Sequence, residues 1–125
     1  MTRAAVSVLA FAVYLVVLGL VLVFAPNALL TAFGLPPVTD VWLRVVGMLV
    51  LILAYYYARA VRLGLTEFFP LTVHARGAVI LVFAGFVAAG LVSPILLLFG
   101  VADLAGAIWT WRALSLDARR AGALG

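Results

Sequence analysis

Cysteine and lysine are both missing from this 125-residue chain, and charge of either sign is scarce. Without a thiol there is no disulfide, thiolate metal site, iron–sulfur cluster or cysteine nucleophile. Without lysine, all eight basic residues are arginine, as the codon usage of a GC-rich genome would produce. Only four acids oppose them, leaving a formal net charge of +4. That excess does not describe a nucleic-acid surface, which needs a basic stripe interleaved with polar or stacking groups. Here the arginines gather at the ends of apolar runs. The single histidine, His74, excludes a bis-histidine haem within one protomer and has no second metal ligand close in sequence. It reads as an interfacial residue. Paired acids, a nucleophile elbow, a phosphate loop and a lipidation signal are all lacking, so no cofactor, metal or catalytic residue is expected.

What the chain has in abundance is apolar surface. Hydrophobic residues make up 69% and charged ones 10%, against roughly 45–50% and 25% in a soluble domain. A domain this small could not hide so much apolar area from water. Residues Ala4 to Ala25, Val41 to Arg62, Leu71 to Leu91 and Pro94 to Trp111 form four runs, each near the roughly 17–25 residues that cross a bilayer as a helix. The expected fold class is therefore all-α: a polytopic membrane protein with four transmembrane helices in one bundle domain, 1–125. The polar stretch 114–125 reads as a cytoplasmic tail that trails along the inner surface or frays. Val23-Phe24-Ala25 imitates a signal-peptidase site, but the run before it exceeds the roughly 7–15 residues of a signal-peptide core. A retained first helix is expected.

Local signals set the boundaries. Pro26 ends the first helix, and Asn27 to Phe33 has Leu29, Leu30 and Phe33 at amphipathic spacing before Gly34-Leu35-Pro36-Pro37. This predicts a short outer interfacial helix and then a rigid turn. Thr39 or Asp40 can cap helix two, Gly64 can terminate it, Thr72 is a capping candidate for helix three, and Ser93-Pro94 opens helix four. Small residues cluster on helix three (Gly77, Ala78, Ala84, Gly85, Ala88, Ala89, Gly90) and on helix four (Gly100, Ala102, Gly106, Ala107). They predict close helix packing, or a contact surface for a homo-oligomer.

Arginine placement predicts the orientation. Arg3, Arg59, Arg62, Arg76, Arg112, Arg119 and Arg120 lie toward the end of the spans that carries both termini, and only Arg44 lies toward the other. The positive-inside rule then places both termini in the cytoplasm and the protein in the inner (plasma) membrane. Trp42 marks the outer interface, and Tyr55 to Tyr57, Trp109 and Trp111 the inner one.

Polar groups at membrane depth are the lead to function, since each costs free energy unless paired or hydrated. Asp103 lies roughly 13 Å into helix four at 1.5 Å per residue, close to the midplane. Arg44 is the first choice as its charge partner, because side chains lean toward the N-terminus of their own helix and helices two and four both start outside. Arg76 is the second. Arg44, Met48, Leu51, Tyr55 and Arg62 share a stripe of helix two, and Asp103, Gly106 and Thr110 share one of helix four. The candidate binding residues are thus Arg44, Tyr55, Asp103 and Thr110, either as a polar pocket or as a charge pair that fixes helix register.

Trp42-Leu43-Arg44-Val45-Val46-Gly47, Tyr55-Tyr56, Arg76 and Asp103-Leu104-Ala105-Gly106-Ala107-Ile108-Trp109-Thr110 carry a resemblance across most of the chain. With these motifs it resembles small bacterial four-helix membrane proteins of the DoxX-like and related domain-of-unknown-function kind. Some members of those families are tied to respiratory or redox partners through cysteines or quinone chemistry; the absence of cysteine here rules out a thiol-based role. Three functions are carried forward. The first is a non-enzymatic accessory or small-ligand-binding membrane subunit. The second is a small oligomeric proton-coupled transporter using Asp103. The third is a membrane enzyme acting on a lipid or quinone. The expected partners are the lipid bilayer and either further copies of the chain or a larger membrane complex.

Overall fold

The computed structural model describes residues 1–124. Among them the chain forms helices α1 (Arg3–Phe24), α2 (Pro26–Ala32), α3 (Trp42–Arg62), α4 (Phe68–Ala88) and α5 (Leu97–Leu124), and no strand. A 3₁₀ turn, Pro94–Leu96, leads into α5. The segments Arg3–Phe24, Trp42–Arg62, Phe68–Ala88 and Pro94–Gly122 are each long and apolar enough to cross a membrane. The protein is an all-α, multi-pass membrane protein.

Turn chemistry sets most helix ends where the residue types place them. The α2 helix stops in a Schellman turn, with Gly34 at φ 71°, Leu35 N–H bonded to Leu30 O at 2.8 Å and Gly34 N–H to Thr31 O at 3.0 Å. The same motif ends α4 at Gly90 (φ 73°), through Leu91 N–H to Phe86 O and Gly90 N–H to Val87 O, both 3.0 Å. Helix α4 therefore closes three residues before Leu91. It also begins earlier than the apolar run, at Phe68, because Pro70 falls in its first turn, where a missing N–H removes no intrahelical bond. Thr72 is thus an interior residue and not a cap. Asp40 caps α3 by accepting from Trp42 N at 3.2 Å, and Ser93 Oγ accepts from Ile95 N at 3.4 Å.

The stretch after Trp111 corrects the expectation of a trailing tail. Helix α5 runs unbroken to Leu124, about 42 Å at 1.5 Å per residue, which exceeds a hydrocarbon core of roughly 30 Å. Residues 112–121 are rich in Ala, Leu and Arg, good helix formers, and extending an existing helix is far easier than nucleating one. Gly125 lies outside the described residues.

Contacts divide the chain into two compact units, Leu9–Arg62 and Met1–Val8 together with the chain from Leu63 onward. In the first, α1 buries Phe11, Ala12, Leu15 and Leu22, and α3 buries Gly47, Ala54, Tyr57 and Ala60. Both sets recur every three, four or seven residues, so each forms one stripe along its helix. The two helices meet at glycine. A methyl group on Gly47 would sit 2.7 Å from Leu22 Cβ, 2.9 Å from Val23 N and 3.0 Å from Gly19 O; one on Gly19 would sit 3.1 Å from Gly47 O. The Phe11 ring lies 5.3 Å from Tyr14 and 6.2 Å from Tyr57. The Asn27 amide, in the first turn of α2, pairs with the backbone of Val38, donating to its carbonyl at 3.0 Å and accepting from its N–H at 2.8 Å. That two-bond clamp closes the 28–37 loop on itself.

In the second unit α4 packs along α5. Gly100 brings them close, since a methyl there would lie 3.2 Å from Ile80 Cα. The first turns of α1 join this unit through Asp117, whose carboxylate accepts from Ala4 N at 3.1 Å, while Thr2 Oγ1 accepts from Ala5 N at 3.1 Å. Two of the N–H groups left over at the start of α1 are satisfied in this way, and the carboxylate sits where the helix dipole favours negative charge. Asp117 is thus a capping residue for a helix more than a hundred positions away.

The small residues of α4 behave differently from expectation. A methyl on Gly77 or Gly85 would meet nothing within 4 Å; the close approach lies at Gly19, Gly47 and Gly100 instead. Gly47→Ala should therefore destabilise the protein by about 1–3 kcal/mol, the usual cost of forcing a methyl into a packed seam. Gly85→Ala should be neutral or mildly stabilising. Thermal unfolding of both variants in one detergent checks this; equal melting temperatures would remove the glycine seam as a packing determinant.

Candidate functional site: a buried hydroxyl–guanidinium cluster

Arg76 is the most heavily buried charge among the described residues, with 2% of its surface exposed. A guanidinium does not give up its proton, so it must be solvated by protein where water is excluded. Its own helix supplies the first ligands. Thr72 precedes Arg76 by four residues and hence lies on the same face of α4. Arg76 Nε donates to Thr72 O at 3.2 Å and Nη2 to Thr72 Oγ1 at 3.0 Å. The second hydrogen of Nη2 goes to α5, to Thr110 Oγ1 at 2.7 Å. Thr110 is fully buried, and its hydroxyl is 2.8 Å from Ser7 Oγ of α1, itself 1% exposed.

Counting protons gives this chain of bonds a direction. Ser7 Oγ donates its only hydrogen to Ala4 O at 2.7 Å, so in the Ser7–Thr110 contact it accepts and Thr110 donates. Thr110 in turn accepts from Arg76. Thr72 accepts from Arg76 and donates to Phe69 O at 2.7 Å. Each hydroxyl thus gives one hydrogen and takes at least one, with its lone pairs toward the cation. Positive charge on Arg76 polarises the series Arg76, Thr110, Ser7, Ala4 O in a single sense, which strengthens each bond in it. Three helices, α1, α4 and α5, are tied by one side chain.

Asp103 lies seven residues before Thr110 on α5, two turns away on the same side, and is partly buried. Arg76 belongs to the same compact unit. Arg44, the first choice from helix direction, is exposed and donates through Nη1 to the Val23 carbonyl near the end of α1. That carbonyl belongs to the last turn, where backbone acceptors lack intrahelical donors.

Tyr55 is 61% exposed and its ring lies 6.0 Å from that of Tyr56. The buried tyrosine of the Tyr55–Tyr57 run is Tyr57. Successive residues are turned by about 100° on a helix, so a stripe drawn through Arg44 and Tyr55 points away from the one through Gly47, Ala54 and Tyr57. Of the expected site residues, the structure brings Thr110 and Arg76 together. Ser7 and Thr72 were not anticipated. A signal for them exists: each is a hydroxyl residue within a long apolar helix, where a polar group needs a partner, and Thr72 lies four residues before Arg76. Among the described residues no group of three or more His, Asp or Glu side chains could hold a metal ion. The chain matches no family model, no curated protein and no solved structure.

Thr110→Val keeps the shape of the side chain but removes the acceptor from the guanidinium and the donor from Ser7. It should cost about 1–3 kcal/mol, the penalty for stranding buried polar groups. Ser7→Ala should cost less, and the double variant should fall short of the sum by 0.5 kcal/mol or more, as coupled neighbours do, roughly. Chemical or thermal denaturation of the four proteins measures this; strict additivity would show that the two hydroxyls act separately.

Proposed function

We propose that this protein is a non-enzymatic accessory or small-ligand-binding subunit of the inner (plasma) membrane. In this reading it crosses the bilayer four times with both termini in the cytoplasm. The observation that carries it is the commitment of the buried polar side chains to one another. Ser7, Thr72, Arg76 and Thr110 form bonds that join helices, which is what a polar group does when its task is to hold spans in register. The similarity to DoxX-like four-helix membrane proteins belongs to the same proposal.

The orientation is supported by where the arginines fall on the helices. Arg3 opens α1, Arg59 and Arg62 lie in the last turn of α3, and Arg112, Arg119 and Arg120 follow the apolar part of α5. All of these mark the same membrane face under the positive-inside rule. A reporter fused after Gly125 should be active only inside the cell, and one inserted at Pro36-Pro37 only outside. An active external C-terminal reporter would overturn the orientation.

Asp103 keeps a second reading in view, an oligomeric proton-coupled transporter, since a partly buried carboxyl at membrane depth can take up and release a proton. The two readings part on Asp103→Asn. For an accessory subunit, wild type and variant reconstituted in proteoliposomes should dissipate an imposed pH gradient at the same slow rate, and the variant should differ only in melting temperature. Faster dissipation by the wild type that is lost in the variant would establish the transporter.

A further inference from the structure

The exposed side of α1 and α5 carries a feature that the buried cluster does not use. An open groove of about 590 Å³ runs between the start of α1 and the middle of α5. Its walls include Val6, Ile108, Trp109 and Leu116, all between 42% and 50% exposed. Arg3 and Arg112, both exposed, line the same groove from separate helices. Two guanidinium groups facing one cleft repel each other unless an anion lies between them.

The groove has a polarity gradient, and both helices contribute to it in the same sense. On α1, Arg3 precedes Val6 by three residues, about 4.5 Å of rise; on α5, Arg112 follows Ile108 by four, about 6 Å. Helix α1 leaves the terminal face and α5 returns to it, so each places its arginine nearer that face than Val6 or Ile108, while Met1 and Leu116 line the groove on the other side of the arginines. A ligand that matches carries an anionic group with an apolar portion within a few ångströms of it. Trp109 sits at the junction, the level at which an indole meets lipid headgroups. Other charges nearby do not cancel the site. The Asp117 carboxylate bonds to Ala4 N and lies outside the groove wall, while Arg119 and Arg120, further along α5, add positive charge.

We infer that this groove binds an anionic phospholipid, with the headgroup phosphate held between Arg3 and Arg112 and an acyl chain laid along Val6, Ile108 and Trp109. Guanidinium suits phosphate because its planar fork can make paired charge-assisted hydrogen bonds. The groove shares no residue with Ser7, Thr72, Arg76 or Thr110, so this inference can fail while the reading of the buried cluster stands.

Native mass spectrometry of the full chain in detergent, with phosphatidylglycerol and phosphatidylcholine of identical chains, tests it. The wild type should retain phosphatidylglycerol preferentially. Arg3→Gln/Arg112→Gln should lose that preference by about 25-fold, at roughly five-fold per arginine, while Arg59→Gln/Arg62→Gln, an equal loss of charge elsewhere, should keep it. Equal losses in the two variants would reduce the effect to general electrostatics and overturn the site. A second measurement leaves the arginines in place. In a Trp42→Phe/Trp111→Phe chain, only Trp109 fluoresces, and brominated phosphatidylglycerol should quench it more than brominated phosphatidylcholine at the same mole fraction in nanodiscs. Equal quenching would overturn the proposal, as would displacement of the lipid by millimolar inorganic phosphate, which would identify a site for the free anion.

Discussion

A permanently charged guanidinium in a place without water is the constraint around which one half of this protein is arranged. Arg76 cannot be neutralised, and leaving it without hydrogen-bond acceptors at membrane depth would cost several kcal/mol, roughly the penalty for any unmet polar group there. The chain answers in part with hydroxyls. Thr72 and Thr110 accept from Nη2, and Ser7 extends the series to a backbone carbonyl of α1. Hydroxyls suit the task because they can accept from the cation and still dispose of their own hydrogen.

The two compact units use different means to hold helices together. Leu9–Arg62 relies on shape: Gly19 and Gly47 let the α1 and α3 backbones approach until carbonyl oxygens nearly touch the opposite glycine. In lipid such close packing replaces the hydrophobic drive that water would supply. The other unit relies on polar bonds. Asp117 reaches the first turn of α1, Thr110 reaches Ser7, and Arg76 reaches Thr110. Polar groups that interact mainly with each other suit a subunit that lends its surface to partners, whether lipid or protein. The cationic groove beside α5 is the part of that surface with the most defined chemistry.

Much of the architecture was legible in the order of residue types. Apolar runs of bilayer length and glycines after the last helical turn are local features, and they are decided by solvent transfer and backbone sterics over a few residues. The four long apolar helices, the short α2, the Asp40 and Ser93 caps and the left-handed Gly34 and Gly64 follow from these. The site was legible only in part. Thr110 and Arg76 were recognised as polar groups at depth, but the stripe that included Tyr55 was drawn on the exposed side of α3. The choice between Arg44 and Arg76 could not be made from helix direction. Helical period defines a set of stripes but not which of them faces a neighbour.

From its sequence alone, then, this protein was bound to be helical and to cross a membrane. No other arrangement satisfies the backbone of such apolar segments while hiding them from water. Only the tertiary structure decided that Ser7 meets Thr110 across some hundred residues and that Asp117 caps a distant helix. It also decided that Arg3 shares a groove with Arg112 and that Gly47 rather than Gly85 marks a close crossing. Those pairings depend on how helices rotate about their axes when they pack, and rotation is set by the sum of contacts across a seam. No stretch of neighbouring residues contains that information.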